Sequence, residues 1–464
     1  MEIRPQNRAS WVALAISYHL LKNYGLTLRA IDGYLSSLSS SDPHDFEHSE
    51  MLLYKAFVLE DSGDLTGALA FLNDIEPEVC DKLGLKEARA RCLHGLGYSS
   101  AAEQVYLDLL SVNSENRKYY DGLQQCRGLA TGVHGPFTEH QRSQLLNLYA
   151  ELRTKLPKAH CAMRLPLDIA QGEEFTKLVD AYLRKWLMKG APSLFSNLRS
   201  LYEDKQGVKP QIIERLVGDY LRAARSSDRK VSDGESADSI DSPSTVLWIL
   251  YFLAQHYCKI GNHAKAISLI DEAIAHTPTL LELYYFKGKI MKLAGDCTTA
   301  ASLVSQAREL DTADRWINTK ATKYLLRDDR IEEAEKMISL FSKSDAQPTT
   351  NLVEMQCSWF MIESGRAHLR RGELGSAIKK FQTVDKFFAD MIDDQFDFHT
   401  YCVRKMTIRA YMALLKMEDG LQGHRVYVRS AVAAIECYLR LYDHPEERER
   451  ASTSFVVIPS QANC

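Results

Sequence analysis

Alanine returns at a fixed interval in this chain: Ala266, Ala300 and Ala334 are 34 residues apart, and Ile270, Val304 and Ile338 keep the same step four positions later. Ala273 and Ala307 follow, and Gly261 and Gly295 stand five residues before the first two alanines. A 34-residue period with small residues at fixed offsets is the tetratricopeptide pattern. Two antiparallel helices approach closely only where a small side chain lets their backbones meet, so alanine recurs at one point of the second helix. The turn between them wants glycine, which accepts φ > 0 without a steric penalty. Pro278 then ends a second helix.

The N-terminal half keeps the same step, since Ala56, Leu59, Gly63 and Ala68 return as Ala90, Leu93, Gly97 and Ala102. Trp11, Leu14 and Tyr18 fit the first helix of another unit, with Thr27 in place of the alanine. Gly372, Ala377 and Phe381 make one more, offset by 43 residues from Ala334. Between Phe137 and Tyr220 the period blurs into irregular helical pairs. The expected fold is all-α: a tetratricopeptide-repeat α-solenoid, a right-handed superhelix of helical pairs. Such a fold buries its core between neighbouring repeats and offers a concave surface to partners.

With 464 residues the chain is too long for one ordinary core. Ser226 to Ser244, rich in Ser and Asp, holds too little apolar area to offset ordering its backbone. The expected organisation is an array over 1–225, a disordered linker over 226–244, a second array over 245–450 and a tail over 451–464. A net charge of −4 argues against a general nucleic-acid coat. The longest apolar run, Val246 to Ala254, is far short of the ~20 residues that span a bilayer. The first eight residues have no apolar signal core, and the ten cysteines include no Cys-x-x-Cys. Reduced, packed thiols and a cytoplasmic location are expected.

No string nominates a catalytic residue. Gln125-Cys126-Arg127-Gly128-Leu129-Ala130 matches the pyrophosphate grip of GNAT-fold acetyltransferases, but that grip needs a strand before the loop and a helix after it. Here a helical run, Asn116 to Gln125, precedes it, so a loop between helices is expected. His94-Gly95-Leu96-Gly97 puts Gly97 at the repeat turn. The carboxylates of Asp393-Asp394-Gln395-Phe396-Asp397 read as a helix start rather than a metal site.

Lysines are more telling. The repeat phase places Lys289 and Lys323 at one point of successive first helices, 34 residues apart. Lys292 lies three residues after Lys289 and Lys320 three before Lys323, so each pair shares a helix face. Four ammonium groups, with Arg315 at the mouth of the second helix, would crowd one concave patch and repel unless an anion joined them. A polyphosphate or an acidic partner surface is the ligand such a patch wants; the alternative is a solvated face. Lys287 takes a normally apolar repeat position, where its stem must snorkel.

Several strings resemble one family: Arg8-Ala9-Ser10-Trp11, Arg164-Leu165-Pro166-Leu167, Leu198-Arg199-Ser200-Leu201-Tyr202, Leu310-Asp311-Thr312-Ala313-Asp314-Arg315, and Asp397-Phe398-His399-Thr400-Tyr401-Cys402 with the residues before it. The family is the large auxiliary subunit of the NatA N-terminal acetyltransferase complex, and the likeness runs from about Arg4 to Pro445. The resemblance implies a non-catalytic scaffold that wraps a GNAT-fold catalytic subunit, tunes it for nascent chains, and docks near the ribosomal exit tunnel. It also implies an inositol hexakisphosphate site whose lysines match Lys289, Lys292, Lys320 and Lys323. Family members usually continue before the Arg-Ala-Ser-Trp string and well beyond Pro445, so a fragment or a variant is expected here. The reading from another class is a general tetratricopeptide adaptor that clasps a peptide or chaperone tail.

Overall fold

A computed structural model describes residues 7–37, 45–129, 137–203, 207–225, 243–342, 348–393 and 396–444. The first helices are α1 (Arg8–Leu20), α2 (Tyr24–Ser36), α3 (Phe46–Asp61), α4 (Leu65–Asp74), α5 (Lys82–Gly95), α6 (Ser99–Val112), α7 (Arg117–Cys126) and α8 (Glu139–Lys155). The short α9 (His160–Arg164) and α10 (Pro166–Ile169) lead to α11 (Gly172–Met188), α12 (Leu194–Leu198) and α13 (Val208–Arg225). Regular pairs resume with α14 (Pro243–Lys259), α15 (His263–His276), α16 (Leu281–Leu293), α17 (Cys297–Leu310), α18 (Arg315–Arg327) and α19 (Ile331–Ser339). The last are α20 (Pro348–Glu354), α21 (Ser358–Arg370), α22 (Leu374–Asp393), α23 (Phe396–Arg404), α24 (Ile408–Glu418) and α25 (Arg425–Asp443). Among the described residues there is no strand, and no helix is long and apolar enough to cross a membrane.

The repeat phase is built into the turns. Lys22, Gly63, Gly97, Gly261, Gly295, Asp329 and Gly372 all have positive φ. Each lies five residues before a fully buried small side chain: Thr27, Ala68, Ala102, Ala266, Ala300, Ala334 and Ala377. At Gly63 the N–H donates to Glu60 O, and the next N–H, of Asp64, reaches back to Leu59 O at 3.0 Å. This pair of bonds satisfies carbonyls that the helix end leaves open. Asn23, Asp64, Asn262 and Asp296 follow as N-caps, each accepting from the N–H three residues on. One residue thus ends a helix and its neighbour starts the next. A Cβ at Gly288 of α16 would meet Val304 Cγ2 at 2.7 Å and Ala300 O at 3.0 Å, so α16 and α17 touch backbone to backbone there.

The helices form two compact units. The first comprises residues 1–182 and 395–419, the second 183–394 and 420–464. Both are all-α tetratricopeptide architectures of consecutive packed pairs. In the first, α23 and α24 pack on α1 and α3, adding Met406, Ile408, Tyr411 and Met412 to the core of Val12, Ile31, Met51 and Tyr54. In the second, α16 to α22 stack around a core that includes Val304, Leu325, Phe360 and Val384, and α25 lies along α22.

This grouping differs from the division drawn at 226–244. Residues 226–242 and 451–464 lie outside the described residues, while Pro243 and Ser244 already belong to α14. The helices on either side of that segment pack together: Glu214 of α13 accepts from Tyr257 Oη of α14 at 2.6 Å and pairs with His256 Nε2 at 3.3 Å. Composition marks where a chain has no core of its own, and contacts decide which helices share one.

Candidate functional site

The second unit gathers charged side chains on three successive first helices, the cations on two of them. Lys289 and Lys292 stand on α16, Lys320, Lys323 and Arg327 on α18, and Glu363 on α21. Gly288, Thr322 and Gly365, at equivalent repeat positions, are the small residues that seat these helices on their partners.

Glu363 is only 6% exposed and carries the centre of the cluster. Arg327 donates to it through Nε and Nη2, both at 3.3 Å. Lys323 Nζ lies 3.2 Å from Oε1, and Arg429 Nη2 of α25 lies 3.6 Å from the same oxygen. Burial alone would raise the carboxyl's pKa, but the hydrogen bond and charge of Arg327, with Lys323, hold it below the ordinary carboxylate range.

The other lysines show the opposite balance. Burial depresses Lys292 below an ordinary lysine, and the charges of Arg327 and Lys289 depress it further. Burial also lowers Lys320, with Lys323 and Arg327 adding to it. Lys289 is lowered by burial, which outweighs an opposing pull from Cys258, and Arg199 lowers it a little further. Among the described residues no carboxylate lies within ion-pair distance of Lys289, Lys292 or Lys320, and two of the three stand near aromatic rings instead. The Lys289 ammonium is 5.4 Å from the Phe286 ring and that of Lys320 is 5.2 Å from the Trp316 ring. Half-buried cations without counter-ions are costly unless an anion arrives, so the arrangement is suited to holding a polyanion.

Electrostatic neighbourhood ties Lys292, Lys320 and Lys323 to one cluster around Arg327 and Glu363, and Lys289 joins it through Lys292. Arg315 does not join it. Its guanidinium lies 5.5 Å from the Phe341 ring, and at 3.6 residues per turn it points about 140° away from Lys320 around α18. Lys287, the odd lysine of the repeat, snorkels to Asp271 at 2.7 Å. Repeat reasoning missed Arg327, Glu363, Arg429 and Arg199. Arg327, four residues after Lys323, was findable from the shared helix face, and Glu363 follows Lys320 at the 43-residue offset. Nothing in the period pointed to Arg429, whose helix belongs to no repeat pair.

The other strings resolve as structural. At the end of α7, Gly128 has φ +64°, and its N–H and that of Leu129 donate to Gln125 O and Gln124 O at 2.9 Å. Arg127 is held by Glu103 and Glu151, so the string caps a helix. Gly97 forms the repeat turn, with φ +81°. Asp393 ends α22 and Asp397 lies in the first turn of α23, so the carboxylates do not form one helix start; residues 394 and 395 lie outside the described residues. Among the described residues no group of three or more His, Cys, Asp or Glu side chains is placed to hold a metal ion.

Comparison with known proteins matches this description. The family model for the N-terminal acetyltransferase A auxiliary subunit covers residues 46–461. The N-terminal acetyltransferase A complex auxiliary subunit NAA15 of Arabidopsis thaliana is 40% identical over 99% of this chain and 51% of its own length. The human N-alpha-acetyltransferase 16, NatA auxiliary subunit, is 41% identical over 97% of the chain and 50% of its own. The chain thus spans about half the length of these relatives. A solved structure of Naa15/Naa10 bound to HypK-THB superposes with a TM-score of 0.85 at 35% identity, covering 96% of this chain and 64% of that one. Helical periodicity, turn chemistry and these likenesses agree: the chain belongs to the family of N-terminal acetyltransferase A auxiliary subunits.

Proposed function

We propose that this chain is a non-catalytic scaffold in a NatA-type N-terminal acetyltransferase, carrying a GNAT-fold catalytic subunit and tuning it for nascent chains in the cytoplasm, near the ribosome. The observation that carries this reading is the likeness, over 96% of the chain, to a structure in which Naa15 is assembled with Naa10. The helix-cap geometry at Gly128 supports the non-catalytic part, because the one acetyl-CoA-like string has its amides committed to the helix. The ligand assigned to the basic cluster is inositol hexakisphosphate, supported by the unpaired ammonium groups of Lys289, Lys292 and Lys320.

Affinity purification of the tagged chain, followed by mass spectrometry and an acetylation assay on Ser- and Ala-initiated peptides, tests the assignment. A GNAT-fold partner that brings acetylating activity is expected. Recovery of a chaperone or peptide tail, with no acetyltransferase, would replace it with the adaptor reading.

A further inference from the structure

Glu363 is the unusual member of the basic cluster. It occupies the repeat position of Lys320, 43 residues on, so a carboxylate stands where the preceding repeat has an ammonium group. It is nearly fully buried, yet three cations from two helices reach it: Lys323 and Arg327 of α18, and Arg429 of α25. Lys292 and Lys320 lie beside Arg327 with no carboxylate of their own. One negative charge therefore serves a cluster that carries several positive ones.

Two consequences follow from electrostatics. Without Glu363, the side chains of Lys323, Arg327 and Arg429 would repel and spread, because like charges in a partly desolvated site are weakly screened. With Glu363 present, any phosphate that approaches these three cations meets a fixed negative charge already in place. From this we infer that Glu363 is the resident counter-anion of the polyanion site: it keeps the cations converged while the site is empty and lowers the site's affinity once a phosphate arrives. Bound phosphates are then held chiefly by Lys289, Lys292 and Lys320, none of which is ion-paired to Glu363; Lys292 feels its charge only weakly. The inference rests on the polyphosphate reading of the same cluster for its second half only; the counter-anion role stands on the ion pairs themselves.

The test uses the full chain with Glu363→Gln and Glu363→Ala, followed by thermal denaturation and calorimetry. Glu363→Gln keeps the shape and removes the charge. Its melting temperature without ligand falls, and its affinity for inositol hexakisphosphate rises by about tenfold. Glu363→Ala empties a carboxylate-sized place among three cations, so acetate or inorganic phosphate raises its melting temperature by more than it raises the wild type's at the same ionic strength. If a variant does not fold in buffer alone, the folded fraction recovered with acetate or phosphate, against chloride at equal ionic strength, is the readout. Recovery supports the role, and an unfolded variant in every anion overturns it. Tighter folding of Glu363→Gln without ligand, or weaker hexakisphosphate binding by a folded Glu363→Gln, also overturns it. A wild type that ignores hexakisphosphate defeats the polyphosphate reading alone, because the acetate and phosphate rescue of Glu363→Ala is measured independently.

Discussion

Arg409 of α24 holds Glu50 of α3 across 359 residues of sequence. Its Nε and Nη2 donate to Glu50 Oε2 at 3.0 and 2.7 Å, its backbone N–H donates to Oε1 at 3.0 Å, and Nη2 also reaches Asp81 Oδ2 at 2.9 Å. Asp81 is the N-cap of α5 and accepts from Gly84, so one guanidinium joins a returning helix to two elements of the first repeats. Glu50 is 4% exposed, which makes it a buried charge whose solvation this pairing replaces.

Replacing Arg409 by Leu therefore strands Glu50 in the interior. Loss of one partner of a buried pair costs about 3–5 kcal/mol, and the partial exposure of Arg409 places this one near the lower end. Urea denaturation of Arg409→Leu should lose about 3 kcal/mol, and Arg409→Leu with Glu50→Gln should recover part of it. Equal stability of the single variant and the wild type would mean that the pair contributes nothing.

The chain alone should not bind acetyl-CoA. A pyrophosphate grip needs free backbone N–H groups, and those of Gly128 and Leu129 already donate to Gln125 and Gln124 carbonyls. Titration calorimetry should show no heat of binding. Micromolar binding abolished by Gly128→Trp would contradict the helix-cap assignment.

Turn positions predict opposite signs for opposite substitutions. Gly97 has φ +81° with open space around a would-be Cβ, so Gly97→Ala adds backbone strain alone, about 1–2 kcal/mol. Lys22 occupies the same repeat position with φ +56°, and Lys22→Gly should remove a comparable strain, less the entropy glycine adds to the unfolded chain. Chemical denaturation of both variants checks the pair; a stabilising Gly97→Ala would show that the phase assignment is wrong.

Charge reversal locates the anion. Lys289→Glu with Lys292→Glu should weaken inositol hexakisphosphate binding by at least about tenfold, or 1.4 kcal/mol, with the chain still folded. These two lysines suit the test better than Lys323, whose reversal would set a second carboxylate against Glu363. An unchanged thermal shift in the double variant would make the patch an ordinary solvated face.

The pH dependence has a definite sign. Lys289, Lys292 and Lys320 titrate below the ordinary lysine value of 10.5, chiefly through burial. Between their folded pKa values and 10.5 the unfolded chain binds more protons, so stability rises with pH there. Relative to a Lys289→Met, Lys292→Met, Lys320→Met variant, the ligand-free wild type should gain stability as pH rises through that window, while its hexakisphosphate affinity falls. A wild type that loses stability relative to the variant over that range would mean that the ammonium groups are already neutralised by the protein.

The repeat reading succeeded where contacts are local in sequence. Ala266, Ala300 and Ala334 are fully buried, and Gly261 and Gly295 take the left-handed turn conformation, as the period required. It looked for glycine at every turn and so passed over Lys22 and Asp329, which adopt the same conformation with side chains. At Asp329 the carboxylate also pairs with Arg370 at 2.7 Å, which gives the position a further use. The lysine phase was legible because Lys289 and Lys323 sit one repeat apart.

The sequence by itself determined the helices, their turns, the pairing of neighbours and the positions of Lys289, Lys292, Lys320 and Lys323. Each of these depends on residues within one repeat, where helix period and turn stereochemistry act directly. Only the tertiary structure decided that α23 and α24 complete the first unit through Arg409 and Glu50, and that α25 brings Arg429 to Glu363. No period links such residues, because they meet through packing between helices far apart along the chain. A charge acquires its counter-ion, and a buried carboxylate its role, only once those helices are in contact.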